Sequence, residues 1–205
     1  MFNSIIAIVL SYLMGSISFS ILFARWLRKI DIRQHGSGNA GATNTLRVLG
    51  KGPAICVFLL DIAKGSAAVL LGYWMGNDSH WIPVLCGLAA IAGHNWPLYF
   101  KFKGGKGIAT TIGALVIWTF LPTLIAGLLA ILVIVFTRYV SLGSMIFAVC
   151  LPILFWVFDL DASYIWGALA VAILAIIRHR KNIVKLMNGT ENKLGGNKKG
   201  ERHGA

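Results

Sequence analysis

The sequence has 205 residues, 57% of them hydrophobic and 13% charged, with a mean hydropathy of +0.75. An ordinary soluble domain is about 45–50% apolar, so that class is excluded and an integral membrane protein is indicated. The net charge of +12 would suit a nucleic-acid binder, but long apolar runs dominate and a polytopic protein gathers Lys and Arg on its cytoplasmic side, so topology accounts for the charge without nucleic acid.

In chain order, apolar runs cover residues 4–23, 53–76, 81–100, 108–119, 121–137, 143–158 and 162–177. The first lacks a basic segment before it and is too long for a signal core, so it is expected to be retained as a helix. Two runs are short for a span of about 20 residues. The fourth and fifth are separated only by Phe120-Leu121-Pro122, which fits a helical hairpin, a re-entrant pair or one tilted span in a five-helix arrangement. Charge decides the orientation. With the N-terminus outside, the inside segments are 25–52, 101–107, 138–142 and the tail from 178, and all of the 19 Lys and Arg except Lys64 fall inside. Such segregation obeys the positive-inside rule and favours an odd number of spans with a cytoplasmic C-terminus, of which seven are expected. The expected fold is therefore all-α, a seven-helix membrane domain over 1–193 with a flexible, basic, glycine-rich tail over 194–205. Ile183, Leu186 and Met187 among Arg180, Lys181 and Lys185 predict a short interfacial helix at the start of the tail segment. Cys56, Cys86 and Cys150 lie singly in apolar runs and read as buried small hydrophobes. The chain has no internal repeat.

The inside segments carry three chemical constellations. Residues 36–44 are small and hydrogen-bonding, and Arg47 follows. Ser37, Asn39, Thr43 and Asn44 can donate to phosphate or hydroxyl oxygens, and Arg47 offers a bidentate fork. A solvated loop with helix-capping residues is the plainer reading of the same composition.

The second constellation is the turn Lys103-Gly104-Gly105-Lys106-Gly107, with Gly93-His94-Asn95-Trp96-Pro97 before it and Thr110 after it. Glycines let backbone N–H groups curl around an oxyanion, lysines supply charge, and the helix that follows adds its N-terminal partial charge. It is not a Walker A loop, because no Ser or Thr follows Lys106 and Phe100 stands at the position of the first glycine. His94, about two turns above the inside end of its run, reads more readily as a hydrogen-bonded structural group than as a catalyst. Pro97 bends the last turn and suits a cavity wall.

The third is Arg178-His179 with Asn182 and, further on, Gly189-Thr190-Glu191. His179 and Asn182 share a helix face, and an imidazole at the rim can accept a hydroxyl proton or hold a phosphate; a surface histidine in a basic tail is the alternative. Glu191 is expected to pin the tail to a cation. Asp61 and Lys64, three apart inside the second run, fit a structural ion pair and a substrate contact equally well. Ser141 and Ser144 suit phosphate binding or capping of the sixth helix. No carboxylate lies five residues after any His, which rules out the His-x4-Asp acyltransferase signature, the carboxylate series of a CDP-alcohol phosphotransferase is missing, and inside carboxylates are too few for a Mg²⁺ site. Metal-free chemistry on anionic substrates is expected. A carrier of a phosphorylated anion is the rival class, weakened by polar residues that cluster at one rim instead of the midplane.

Gly-Ser-Gly-Asn-x-Gly-Ala-Thr-Asn-x-x-Arg at 36–47, Gly-His-x-x-Pro…Phe-Lys-Gly-Gly-Lys-Gly-Ile-Ala-Thr at 93–110 and Arg-His-x-x-Asn-Ile at 178–183 together resemble the bacterial acyl-phosphate:glycerol-3-phosphate acyltransferases, the PlsY family. The resemblance runs from Gly15-Ser16 to Glu191. It implies a seven-helix enzyme of the bacterial inner membrane with a cytoplasmic active site, transferring a fatty acyl group from acyl phosphate to the 1-hydroxyl of glycerol 3-phosphate to give lysophosphatidate and phosphate in phospholipid synthesis. No metal or other cofactor is implied. Expected partners are the two substrates, membrane lipids and, transiently, an enzyme that makes acyl phosphate. With the His179/Asn182 spacing, the resemblance assigns Gly104, Gly105, Lys106 and Gly107 to the acyl-phosphate head and Ser37, Arg47, Lys103, His179 and Asn182 to glycerol 3-phosphate. Asn39, Asn44, Thr110, Ser141 and Ser144 join the binding set, and Asp61, Lys64, His94 and Glu191 support it. His179 is the first candidate base; a substrate or leaving phosphate oxygen is its rival as proton acceptor.

Overall fold

A computed structural model of the chain describes residues 2–76 and 79–195. Among these, regular structure consists of helices alone: α1 (Phe2–Gly15), α2 (Phe19–Arg28), α3 (Ala42–Leu49), α4 (Lys51–Met75), α5 (Trp81–Asn95), α6 (Ile108–Trp118), α7 (Phe120–Thr137), α8 (Val140–Val157) and α9 (Ala162–Met187), with 3-10 turns at Ile32–Gln34 and Leu98–Phe100. Five stretches are long and apolar enough to cross a membrane: Phe2–Arg28, α4, α7, α8 and α9. The protein is an integral membrane protein. At 15 residues α5 is shorter, and α6, at 11 residues, extends about 16 Å, roughly half a bilayer's hydrocarbon core.

The expected elements shift in four places, each for a local reason. The first run is two helices, broken at Ser16-Ile17-Ser18, where Ser18 turns extended ahead of α2. The third run stops at Asn95, because Pro97 forbids helical geometry at Trp96, so His94 lies in the last turn of α5 and not two turns above its end. Phe120-Leu121-Pro122 is the first turn of α7; the break from α6 is Thr119 alone, which makes these two helices and not one tilted span. The expected interfacial helix at 183–187 is the continuous end of α9. Leu194, placed in the flexible tail, is held at the α7–α8 connection by its N–H to the Arg138 carbonyl at 2.7 Å and by the Arg138 guanidinium on its own carbonyl. The rest of the expected tail, from 196, and the outer connection at Asn77 and Asp78 lie outside the described residues.

Helices approach closely where glycines remove the side chain. A Cβ on Gly65 would overlap the Thr110 backbone and one on Gly113 the Ile62 carbonyl, so α4 and α6 pack backbone to backbone; Gly15 against Ala90 does the same for α1 and α5. In lipid, where burial of apolar surface gives no net drive, this contact is what associates helices. The main core groups Val69, Ile91, Leu115, Trp118, Phe147, Leu151 and Phe155. A second cluster, Ile21, Ala24, Ile32, Ala40 and Phe100, lies at one end of the bundle. It seats both glycine-rich segments on α2, and so positions the site.

Candidate active site

The first segment is shaped by two side chains. Asp31 caps the turn at Ile32–Gln34, accepting the Arg33 N–H at 3.0 Å and the Arg33 guanidinium at 2.6 Å. That hydrogen bonding holds its carboxyl down to about 2. Arg33 also donates to the carbonyls of Phe100 at 2.9 Å and Lys103 at 3.3 Å, tying this segment to the next. Asn44, completely buried on α3, accepts the Ser37 N–H at 2.8 Å and donates to Ile32 and His35 carbonyls at 3.2 and 3.0 Å. The side-chain polar atoms of Asn44 thus mould the loop, and Ser37, Asn39, Thr43 and Arg47 line the adjoining cleft with it.

The second segment is packed instead of exposed. The Gly105 N–H bonds the His94 carbonyl at 3.1 Å. A Cβ on Gly105 would run into His94 Nε2 and the Ala40 carbonyl, and one on Gly104 into the His94 carbonyl and the Pro97 ring. From the other side Arg178 donates Nε at 3.1 Å and Nη2 at 2.5 Å to the Gly105 carbonyl and Nη2 at 3.3 Å to that of Gly104, while its guanidinium lies over Trp96, 5.3 Å from the ring centre. Gly107 at φ +82° opens α6, whose first residues Ile108 and Ala109 line the cleft; the N–H groups of a helix's first turn have no partner within the helix.

Behind the turn lies a buried triad. Lys64 Nζ is 2.8 Å from Asp61 Oδ1, 2.7 Å from the Ile17 carbonyl and 3.0 Å from His94 Nδ1. His94 Nδ1 also lies 3.5 Å from Asp61 Oδ1, and its Nε2 faces Gly105. Asp61 and His94 reach the cleft wall, and His94 links the Asp61–Lys64 pair to the glycine turn. Thr110 is buried in the α4–α6 contact.

On the opposite wall, His179 Nδ1 meets the Ala175 carbonyl at 2.8 Å. A carbonyl only accepts, so Nδ1 carries the hydrogen and Nε2 keeps its lone pair. Lys106 donates to Asn182 Oδ1 at 2.5 Å, and Asn182 Nδ2 and Ser141 Oγ donate to Glu191 Oε1 at 2.9 and 3.1 Å. Glu191 therefore pins the chain after α9 to an amide and a hydroxyl, not to the cation expected. Ser144 Oγ bonds the Val140 carbonyl at 2.8 Å. Burial pushes the Lys106 ammonium down to about 8, with Arg47, Arg178 and Lys185 adding to the effect and Glu191 opposing it.

These walls enclose a cleft of about 670 Å³. Its mouth is cationic: Arg47, Lys106, Arg178, Arg180, Lys181 and Lys185 line it, against the carboxylates Asp61 and Glu191. Its depth is apolar, a groove between α6, α7 and α8. Of the expected site residues, Ser37, Asn39, Asn44, Arg47, Gly104, Lys106, Gly107, Ser141, Ser144, His179, Asn182, Glu191, Asp61 and His94 line the cleft. Lys103, Gly105, Thr110 and Lys64 do not; Lys103 is exposed. Arg178, Lys185 and Arg33 received no site role from the sequence. The spacing of Arg178, Asn182 and Lys185 at i, i+4 and i+7 was the signal for the first two.

A helical membrane body whose cationic cleft opens into an apolar groove defines a membrane protein built to hold an amphipathic anion. The glycerol-3-phosphate acyltransferase family model matches residues 5–189. A glycerol-3-phosphate acyltransferase of Shouchella clausii is 58% identical, covering 95% of this chain and 98% of its own, and one of Halalkalibacterium halodurans is 54% identical over 90% and 92%. Among solved structures, PlsY, an integral membrane glycerol 3-phosphate acyltransferase, in its glycerol 3-phosphate form superposes with a TM-score of 0.89 at 36% identity over 94% of this chain and 96% of PlsY; its lysophosphatidic acid form gives 0.85 at 35% over 93% and 94%. The chain belongs to the glycerol-3-phosphate acyltransferase family.

Proposed function

We propose that the protein transfers a fatty acyl group from acyl phosphate to the 1-hydroxyl of sn-glycerol 3-phosphate, releasing lysophosphatidate and inorganic phosphate, as a step of phospholipid synthesis. The observation that carries this reading is the junction of a cationic mouth, with two separately built anion-friendly segments, to an apolar groove in one cleft. Two phosphates and one acyl chain need that combination. The glycine turn, Lys106 and the first turn of α6 would hold the acyl-phosphate head. Ser37, Arg47, Asn182 and His179 would hold glycerol 3-phosphate.

The hydroxyl oxygen attacks the acyl carbonyl carbon, the carbon–oxygen bond to phosphate breaks, and phosphate leaves. The hydroxyl proton passes to His179 Nε2 or to a phosphate oxygen. An acyl phosphate already has a good leaving group, so orientation and oxyanion stabilisation carry the rate. Seven spans, with α5 and α6 completing the bundle, an outer N-terminus and a cleft facing the cytoplasm of a bacterial inner membrane agree with the charge segregation. That side is also where an enzyme supplying acyl phosphate would hand over its product, and residues 1–193 form the catalytic unit.

The test offers purified protein glycerol 3-phosphate with acyl phosphate, acyl-CoA or acyl carrier protein, in EDTA. Lysophosphatidate from acyl phosphate alone is the expected result; product only from a thioester donor overturns the donor assignment. Uptake of a phosphorylated anion into proteoliposomes with no product would favour the carrier reading.

A further inference from the structure

Most glycines in the long helices have a packing reason, since a Cβ on Gly65, Gly72, Gly87, Gly93, Gly113 or Gly143 would meet a neighbouring element. Gly127 has none: it lies midway along α7, where a glycine weakens the helix, and beyond its own helical turn no atom comes within 4 Å of where its Cβ would stand. It does, however, line the cleft, on the stripe Phe120, Leu124, Gly127, Ile131 and Ile134 that α7 turns toward the groove.

We propose that Gly127 sets the length of acyl chain the groove accepts, by leaving open the level at which a side chain would close it. This rests on the acyl-transfer reading above. Thr137, at the polar end of α7, is ten residues from Gly127, about 15 Å at 1.5 Å per residue. An extended chain advances about 1.2 Å per bond, so with the acyl carbonyl taken at the level of Thr137, Gly127 stands near the twelfth carbon. Phe120, a further seven residues along, stands near the twentieth. Leucine at 127 would therefore cut the groove short while leaving the polar mouth untouched.

Wild-type, Gly127→Ala and Gly127→Leu proteins are compared for kcat/KM on acyl phosphates of 8 to 18 carbons, and for the rise in Tm given by lysophosphatidates over the same range. The Leu variant is expected to keep wild-type turnover on 8 and 10 carbons within about threefold and to lose at least about tenfold on 16 and 18, with the Tm rise truncated at the same length and Ala intermediate. A uniform loss over all lengths, or none, overturns the proposal, the first because helix packing and not the groove was altered, the second because the chain runs in bulk lipid. Should wild-type protein turn over no acyl phosphate of any length, the donor reading fails, and the lysophosphatidate series decides Gly127 by itself.

Discussion

The two glycine-rich segments look alike in sequence and work by opposite means. Residues 36–41 form a loop exposed at Gly36, Ser37 and Gly38, where the glycines serve backbone conformation at φ +62° and +73°, and its shape comes from Asn44 beneath it. The turn at 103–107 is wedged between His94, Pro97 and Arg178, and its glycines at 104 and 105 serve proximity. The first segment offers side chains, Ser37 and Asn39, to the cleft; in the second the backbone of Gly104 and Gly105 is fixed by its neighbours. A glycine count cannot distinguish a hinge from a wedge, but the element next to it in space does.

Substitutions can break that contrast. The largest effect is expected at Gly105→Ala, which drives the turn off His94 and Ala40; kcat/KM should fall on the order of 10²-fold or more with the protein still folded by its melting curve, since displacements near 1 Å cost about that much. Gly38→Ala, where a Cβ meets only the Arg33 carbonyl at 3.2 Å, should cost less than tenfold, and equal losses would erase the distinction. Next comes Arg178→Lys, which cannot hold both turn carbonyls: about 30-fold in kcat is expected, on the scale of one lost charged hydrogen bond. Arg47→Lys, in the exposed segment, should raise the KM for glycerol 3-phosphate about tenfold with little change in kcat, as loss of a fork geometry does.

A smaller effect concerns pH. Because Lys106 is held down to about 8, its charge is complete below that value and is lost as pH rises through it, so the KM for the phosphorylated donor should climb above pH 8. Lys106→Arg keeps its charge and should flatten the profile; an unchanged profile would remove Lys106 from the anion site. The smallest is Lys103→Ala. With its side chain exposed and outside the cleft, it should alter kcat/KM by less than about twofold.

The helical membrane body was readable because periodicity was irrelevant to it: runs of apolar residues suffice to mark helices in lipid. Their ends were less readable, since Pro97 and Ser16-Ile17-Ser18 act through backbone groups satisfied by residues far along the chain. Three of the site's walls were visible as polar clusters at inside connections. Which members reach the cleft was not, because Lys103 and Lys106 differ only in which way a packed turn points them. Arg178 was visible in the third cluster but its role was not: its partners are the carbonyls of two glycines, which have no side chain to pair with in a sequence.

The break between α1 and α2 has a bearing on how the chain enters the bilayer. The Ile17 carbonyl is left without a helical partner and takes the ammonium of Lys64. Residue 64 leaves the ribosome after residue 17, so that carbonyl gains this partner only once α4 has been made. Lys64 and Asp61 must also enter the bilayer together, each masking the other's charge. Removing Lys64 would thus strip the Ile17 carbonyl and the Asp61 carboxylate of this partner inside the bilayer, before any substrate is met.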